Sequence, residues 1–136
     1  MRIVYLCWKY KIGMSDKTLN IKGTLMSLST PVVMGILNVT PDSFYAGSRK
    51  QTEADIEERI QAILSEGGQI IDIGGYWSRP DAEEVSPEEE MERLAFALKI
   101  LNAHYPEAVV SVDTFRADVA RKCVEDYGVA IIYFLV

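Results

Sequence analysis

The sequence predicts an α/β fold of parallel strands joined by helices, and three observations carry that prediction. Four short apolar runs, at 32–37, 69–73, 109–113 and 129–132, alternate strictly with segments of helical period. The first of them, Val32 to Leu37, shows no strand-type alternation of apolar and polar residues, which suits a strand covered on both faces. Each of the first three is followed by a polar stretch such as a functional loop needs: Asn38 to Phe44, Gly74 to Asp81, and Asp113-Thr114. A βαβαβαβ order requires right-handed crossovers and leaves two architectures open, a doubly wound sheet and a (β/α)8 barrel. Neither G-x-G-x-x-G nor a P-loop is present, which weakens a nucleotide-binding reading.

Taken in order, residues 1–13 are aromatic and basic without a helix or strand period. They are expected to be an N-terminal extension that does not pack, with the domain proper spanning 14–136. Between Lys17 and Ser29, alternation at Leu19, Ile21, Leu25, Met26 and Leu28 around Lys22-Gly23 predicts a small β-hairpin, placed to plug the bottom of a barrel. Val32 to Leu37 is the first buried strand. Pro41 lacks an N–H and pushes Thr40 towards extended geometry, so the chain leaves the sheet there as a loop. Thr52 with Asp55 resembles a capping box, Ile56, Ile60, Ile63 and Leu64 recur at helical spacing, and Gly67-Gly68 ends the helix.

The second strand, Gln69 to Ile73, is interrupted by Asp72. Ser86, Pro87 and Glu89 mark the next helix start, and Met91, Leu94, Ala95, Leu98 and Leu101 form its apolar stripe. Glu88 to Glu90 suit the positive end of the helix dipole and need no other role. His104, the only histidine, falls at the helix end, where stabilising that end is the expected role rather than catalysis. Val109 to Asp113 is the third strand. A helix over about 116–127 follows, with Val119, Ala120, Cys123 and Val124 on one face and Gly128 closing it.

Composition narrows the function classes. The 136 residues are 49% hydrophobic and 25% charged with net charge -6, an ordinary globular balance without the Lys/Arg clusters that a nucleic-acid binder uses to displace counterions. Cys7 and Cys123 form no C-x-x-C pair and read as small buried or half-buried thiols. A run of about 18 apolar residues, the minimum for a membrane span, is missing, and the expected location is cytoplasmic.

In a barrel the loops after the first three strands meet at one rim. They would gather Asn38, Thr40, Asp42, Ser78, Arg79 and Asp113. Amide and carboxylate oxygens suit Mg²⁺ held mainly through substrate phosphates, Arg79 offers a bidentate fork to the same anion, and a buried Asp can accept charge-assisted hydrogen bonds from a heterocycle. By composition alone, the Asn, Thr, Asp and Ser of the first loop also suit a plain capped turn.

The ungapped string Gly35-Ile36-Leu37-Asn38-Val39-Thr40-Pro41-Asp42-Ser43-Phe44 resembles the first signature of the dihydropteroate synthase family, the folate-pathway transferases that sulfonamides inhibit. Ile70 to Pro80 is similar to the family's second signature, and Ser111-Val112-Asp113-Thr114 to its third-strand segment. The resemblance implies the (β/α)8 barrel and the condensation of 7,8-dihydropterin-6-ylmethyl diphosphate with 4-aminobenzoate, and it allows a homodimer of the full-length protein. It implies that Asn38 helps hold Mg²⁺ and the diphosphate, that Asp113 binds the pterin ring, and that Ser78 and Arg79 contact substrate. Phe44 and Pro80 would flank the aminobenzoate, with Thr40 and Asp42 ordering the first loop. Ser78 stands where the family usually has Thr, and Trp77 where it has a small residue.

The similarity runs from about residue 17 to 132. The family's fourth strand continues Ile-Ile-Asn-Asp, whereas here Ile131-Ile132 leads into Tyr133-Phe134. A barrel of this kind takes about 250 residues, so the chain is expected to hold the N-terminal half, about four strands and three helices. Three readings are carried: the transferase, a catalytically inactive half-barrel that at most binds pterin weakly, and a related pterin-binding methyltransferase barrel, against which the Asn38 to Phe44 string speaks.

Overall fold

The computed structural model describes the backbone of residues 3–5 and, in full, residues 17–39, 52–76 and 85–133. Among the described residues ten elements follow one another: β1 (Ile3–Tyr5), β2 (Thr18–Ile21), β3 (Thr24–Ser27), β4 (Val33–Asn38), α1 (Glu53–Ser65), β5 (Ile70–Gly74), α2 (Pro87–His104), β6 (Val109–Asp113), α3 (Ala117–Tyr127) and β7 (Ile131–Tyr133).

Local chemistry sets the element ends. Lys22 and Gly23 both have positive φ, 50° and 89°, the pairing that a two-residue hairpin turn demands, and β2 and β3 pair antiparallel around them. At α1 the capping box forms: the Thr52 Oγ1 accepts from the Asp55 N–H at 3.2 Å, and the Thr52 N–H donates to Asp55 Oδ2 at 2.8 Å. Ser86 caps α2 by accepting from the Glu89 N–H at 3.1 Å. Gly128, at φ 67°, ends α3 in the left-handed cap.

The main sheet has the order β1-β4-β5-β6-β7. From β4 onward every strand is parallel to its neighbour and lies beside the one before it in sequence. A doubly wound sheet reverses direction at a switch point and carries helices on both faces. Here α1, α2 and α3 join one apolar cluster with the outward residues Leu37, Ile71, Ile73 and Val112, so all three helices cover one face. That geometry is the arc of a (β/α)8 barrel.

The other face is the barrel interior. Its floor is a second cluster, Val32, Met34 and Ile70, with Val109 and Ile131 alongside and Met26 and Leu28 from the hairpin and its exit packed on it. The hairpin thus closes the bottom, as the sequence predicts. Ile3–Tyr5, in the stretch expected not to pack, pairs antiparallel with Val33–Gly35 on the outer edge of β4.

Two details of the helices differ from expectation. Glu90 is not a solvated dipole charge: its side chain is 0% exposed and lies on the stripe Glu90, Leu94, Ala97, Leu98, Leu101 that α2 turns to the sheet. Val124 is exposed, leaving Val119 and Cys123 as the buried face of α3. His104 does end α2, where it pairs with Glu57 of α1, far from the strand ends. The buried Cys123 thiol is pushed up to about 11 by desolvation, which keeps it protonated and inert; Cys7 lies outside the described residues.

Ile63 fixes the distance between α1 and the sheet. A Cβ on Gly35 would stand 2.8 Å from Ile63 Cγ1, and one on Gly68 would stand 2.7 Å from the Ile63 carbonyl oxygen. Gly35→Ala should therefore destabilise by about 1–3 kcal/mol through overpacking. Adding Ile63→Ala, which removes the two Cγ atoms facing Gly35, should recover part of that loss; simple additivity in urea unfolding would show that the contact is not the cause.

Candidate functional site at the strand ends

The parallel register stacks the inward side chains into levels. Met34, Ile70 and Val109 share the lowest; Ile36, Asp72, Ser111 and Ile131 the next; Asn38, Gly74, Asp113 and Tyr133 the uppermost. The interior thus runs from an apolar floor to a polar rim at the carboxyl ends, the end at which barrels of this class bind ligands. Asn38 is exposed there, and its Oδ1 would lie 3.7 Å from a Cβ built on Gly74, so the missing side chain leaves the amide room over the middle strand.

Asp72 is strongly perturbed. It is 5% exposed in the second level, its Oδ1 has no hydrogen-bond partner among the described residues, and its pKa is raised to about 6. Desolvation is the main cause. The Asp113 charge pushes the same way, while the Ser111 hydroxyl, opposite it in the register, draws the value part of the way back. Ser111 Oγ is itself fully buried and not aligned as a hydrogen bond to any described group. Asp113, half-buried one level up, is also raised, first by desolvation and then by the Glu90 charge. Two unpartnered buried polar atoms beneath a half-buried carboxylate make a surface ready to take hydrogen bonds from a polar ring entering from above.

Behind the rim, Glu90 pairs with Arg116. The same guanidinium donates to the Val85 carbonyl at 2.7 Å and lies over the rings of Tyr76 and Phe115, at 5.4 and 4.7 Å from their centroids. Thr114, buried next to Asp113, accepts from the Arg116 N–H through its Oγ1. A separate cavity of about 280 Å³ lies at the opposite end of the strands, between the hairpin and the turn before β6, lined by Ile21, Lys22, Met26, Pro106 and Val109. It is not part of this rim.

Of the residues singled out in the sequence, Asn38 and Asp113 are brought to the same level two strands apart. Thr40, Asp42, Phe44, Ser78, Arg79 and Pro80 lie outside the described residues. Asp72, Ser111, Glu90 and Arg116 were not anticipated as site residues. The available signal was Asp72 itself, a carboxylate inside an isoleucine run two residues before the strand ends. Tyr133 takes the rim level next to Asp113, where the family pattern places an Asn.

An arc of parallel strands, helices on one side and polar groups gathered at the carboxyl ends define a ligand-binding (β/α)-barrel architecture. The chain belongs to the pterin binding enzyme family, whose model matches residues 34–133. The dihydropteroate synthase of Escherichia coli strain K12 is 42% identical over 101 residues, 74% of this chain and 36% of that protein. Among solved structures, Xanthomonas albilineans dihydropteroate synthase with 4-aminobenzoic acid superposes with a TM-score of 0.76 at 36% identity, covering 88% of this chain and 43% of that one. The Burkholderia cenocepacia dihydropteroate synthase complexed with 7,8-dihydropteroate gives 0.70 at 27% identity, over 88% and 38%. The chain therefore spans about a third of the curated relative's length. No helix among the described residues is long and apolar enough to cross a membrane.

The raised pKa of Asp72 has a consequence for stability. In the unfolded chain the group titrates near 3.8, in the folded chain near 6, so between these values the folded state holds the extra proton. Stability therefore falls as pH rises from about 4 to 6, and the loss is complete above that window. Asp72→Asn should be more stable than the wild type at pH 7.5 by up to about 3 kcal/mol, the difference shrinking towards zero at pH 4. Urea unfolding at the two pH values measures it; a difference independent of pH would mean that the carboxylate is not desolvated.

Proposed function

We propose that this chain carries pterin-diphosphate recognition for a dihydropteroate synthase reaction, in which the dihydropterin-6-ylmethyl group passes from diphosphate to 4-aminobenzoate. The observation that carries the reading is the polar rim: Asn38, Asp72, Ser111 and Asp113 gathered on the inner face at the strand ends of a chain matched by the family model. The relatives' ligands, 4-aminobenzoic acid in one structure and 7,8-dihydropteroate in another, support it.

In this reading Asp113 accepts hydrogen bonds from the pterin ring, with Asp72 and Ser111 completing the polar floor beneath it. Asn38 holds the diphosphate end. Arg79 and Ser78 bind the same anion from the next loop, Phe44 and Pro80 flank the aminobenzoate ring, and Thr40 and Asp42 order the first loop. The aminobenzoate nitrogen bonds to the pterin methylene carbon as the carbon–oxygen bond to diphosphate breaks, and the nitrogen then loses a proton. No protein nucleophile is needed. Binding groups that meet the leaving diphosphate and keep water from the cationic pterin supply the catalysis.

Mg²⁺ fits this rim in one manner only. Among the described residues there is no cluster of three or more His, Cys, Asp or Glu to cage an ion. The single rim amide of Asn38 suits an ion carried chiefly by substrate phosphates, where Mg²⁺ would neutralise charge on the leaving group.

Calorimetric titration of the purified chain with dihydropterin diphosphate and Mg²⁺ tests the proposal. Saturable binding is expected, and its absence in soluble, folded protein overturns it. Because Asp113 must be ionised to accept from the ring and its pKa is raised, affinity should fall on acidification earlier than it would for an ordinary carboxylate near 3.8. Asp113→Asn should bind more weakly, by about tenfold or more, and should lose the part of that pH dependence that Asp113 contributes.

A further inference from the structure

Two aromatic rings stand at the carboxyl rim, above the polar levels that the pterin reading uses. Tyr76 and Phe115 each lie two residues beyond a ladder partner, Gly74 and Asp113. The ladder does not stop at Asp113, because the Thr114 N–H donates to the Tyr133 carbonyl at 3.2 Å and the Thr114 side chain is buried. Strand alternation therefore returns Phe115 to the side of Asp113, one level and roughly 7 Å further out at the usual rise of a strand. The two rings meet there edge-on, with centroids 5.2 Å apart, as the next rung of the β5–β6 pairing would place them. Phe115 is 53% exposed. The Arg116 guanidinium, held by Glu90 and the Val85 carbonyl on the helix side, lies over both rings, 4.7 Å from the Phe115 centroid. It covers the helix-side face of Phe115, so the open face is turned to the mouth of the barrel.

We infer that Phe115, with Tyr76 beside it, is a specificity-determining surface for the second substrate: the aminobenzoate ring lies against the open face of Phe115 while the pterin occupies the polar levels below. A single exposed phenylalanine needs no function. This one is joined to a second ring, braced by a cation from behind and set directly above the carboxylate that the proposed function gives to the pterin. A planar aromatic ligand matches such a surface, since edge-on and offset contacts between rings add to the apolar area they bury. The guanidinium and the Tyr76 edge hold the Phe115 ring in place beforehand, so little side-chain freedom is lost when a ligand ring arrives. The inference deepens the proposed function and rests on it.

The test is calorimetric titration of the full chain with two probes that carry no diphosphate: 7,8-dihydropteroate, which has both rings, and 6-hydroxymethyl-7,8-dihydropterin, which has only the first. The wild type should bind the two-ring probe more tightly. Phe115→Ala should weaken dihydropteroate about tenfold and leave the hydroxymethyl pterin within about twofold, and Phe115→Tyr, which keeps the ring, should restore dihydropteroate to within about twofold of the wild type. Equal wild-type affinity for the two probes, unchanged dihydropteroate binding in Phe115→Ala, or no rescue by Phe115→Tyr would overturn the inference. So would parallel weakening of both probes, which would mean that the side chain serves the fold alone. If the wild type binds neither probe, the site reading itself falls, an outcome distinct from all of these.

Discussion

Asn38 on β4, Gly74 on β5 and Asp113 on β6 reach one level because the parallel ladders pair them in sequence, and every property of the rim depends on that register. A slip of one residue would turn each strand's inward set to the helix side, burying the Asn38 amide and the Asp113 carboxylate among aliphatic residues. The register is protected from the back. Gly35 lets Ile63 of α1 seat closely on the sheet, and a Cβ built on Gly75 would stand 3.1 Å from both the Glu90 carbonyl oxygen and Leu94 Cγ of α2. The glycines of the signature strands thus serve helix docking, and the docking holds the polar rim in place.

The carboxylates of the rim are arranged at a cost. The Asp113 charge raises the pKa of Asp72 and the Glu90 charge raises that of Asp113, while the Arg116 guanidinium is paired with Glu90 behind them. Such an arrangement destabilises the empty fold and is relieved when a ligand supplies hydrogen-bond donors, which is the pattern expected of a binding site rather than of a core. The inner face shows the same division by level, with methionine, isoleucine and valine at the floor and all its polar groups above.

Much of the fold was legible because its signals are local. The Thr52-Asp55 capping box, the Ser86-Pro87 helix start, the Lys22-Gly23 turn and the Gly128 cap each lie within a few residues, and each forms as read. The choice between open sheet and barrel was not legible from periodicity, since both alternate strands and helices; it follows from the strand order and from all three helices lying on one face. Glu90 was misread because a glutamate run at a helix start has a sufficient local explanation, while its actual partner, Arg116, is 26 residues further on. Asp72 and Ser111 became site residues only once register set them opposite each other. The motif strings single out Asn38 and Asp113, and the register brings the two to one level.

The outer edge of β4 is occupied from Val33 to Ile36 by two unlike devices. Val33–Gly35 pair with the short antiparallel β1, and beyond it the Ile36 carbonyl accepts from Arg59 of α1, through Nε at 3.2 Å and Nη2 at 3.1 Å. A bare strand edge is a template for any other strand, including that of a second molecule. Here an incoming strand must displace both a backbone ladder and a clamped guanidinium before its first hydrogen bond forms. Strand addition at this edge is thereby turned from a docking event into an exchange, with a kinetic barrier that shields the sheet from indiscriminate self-association.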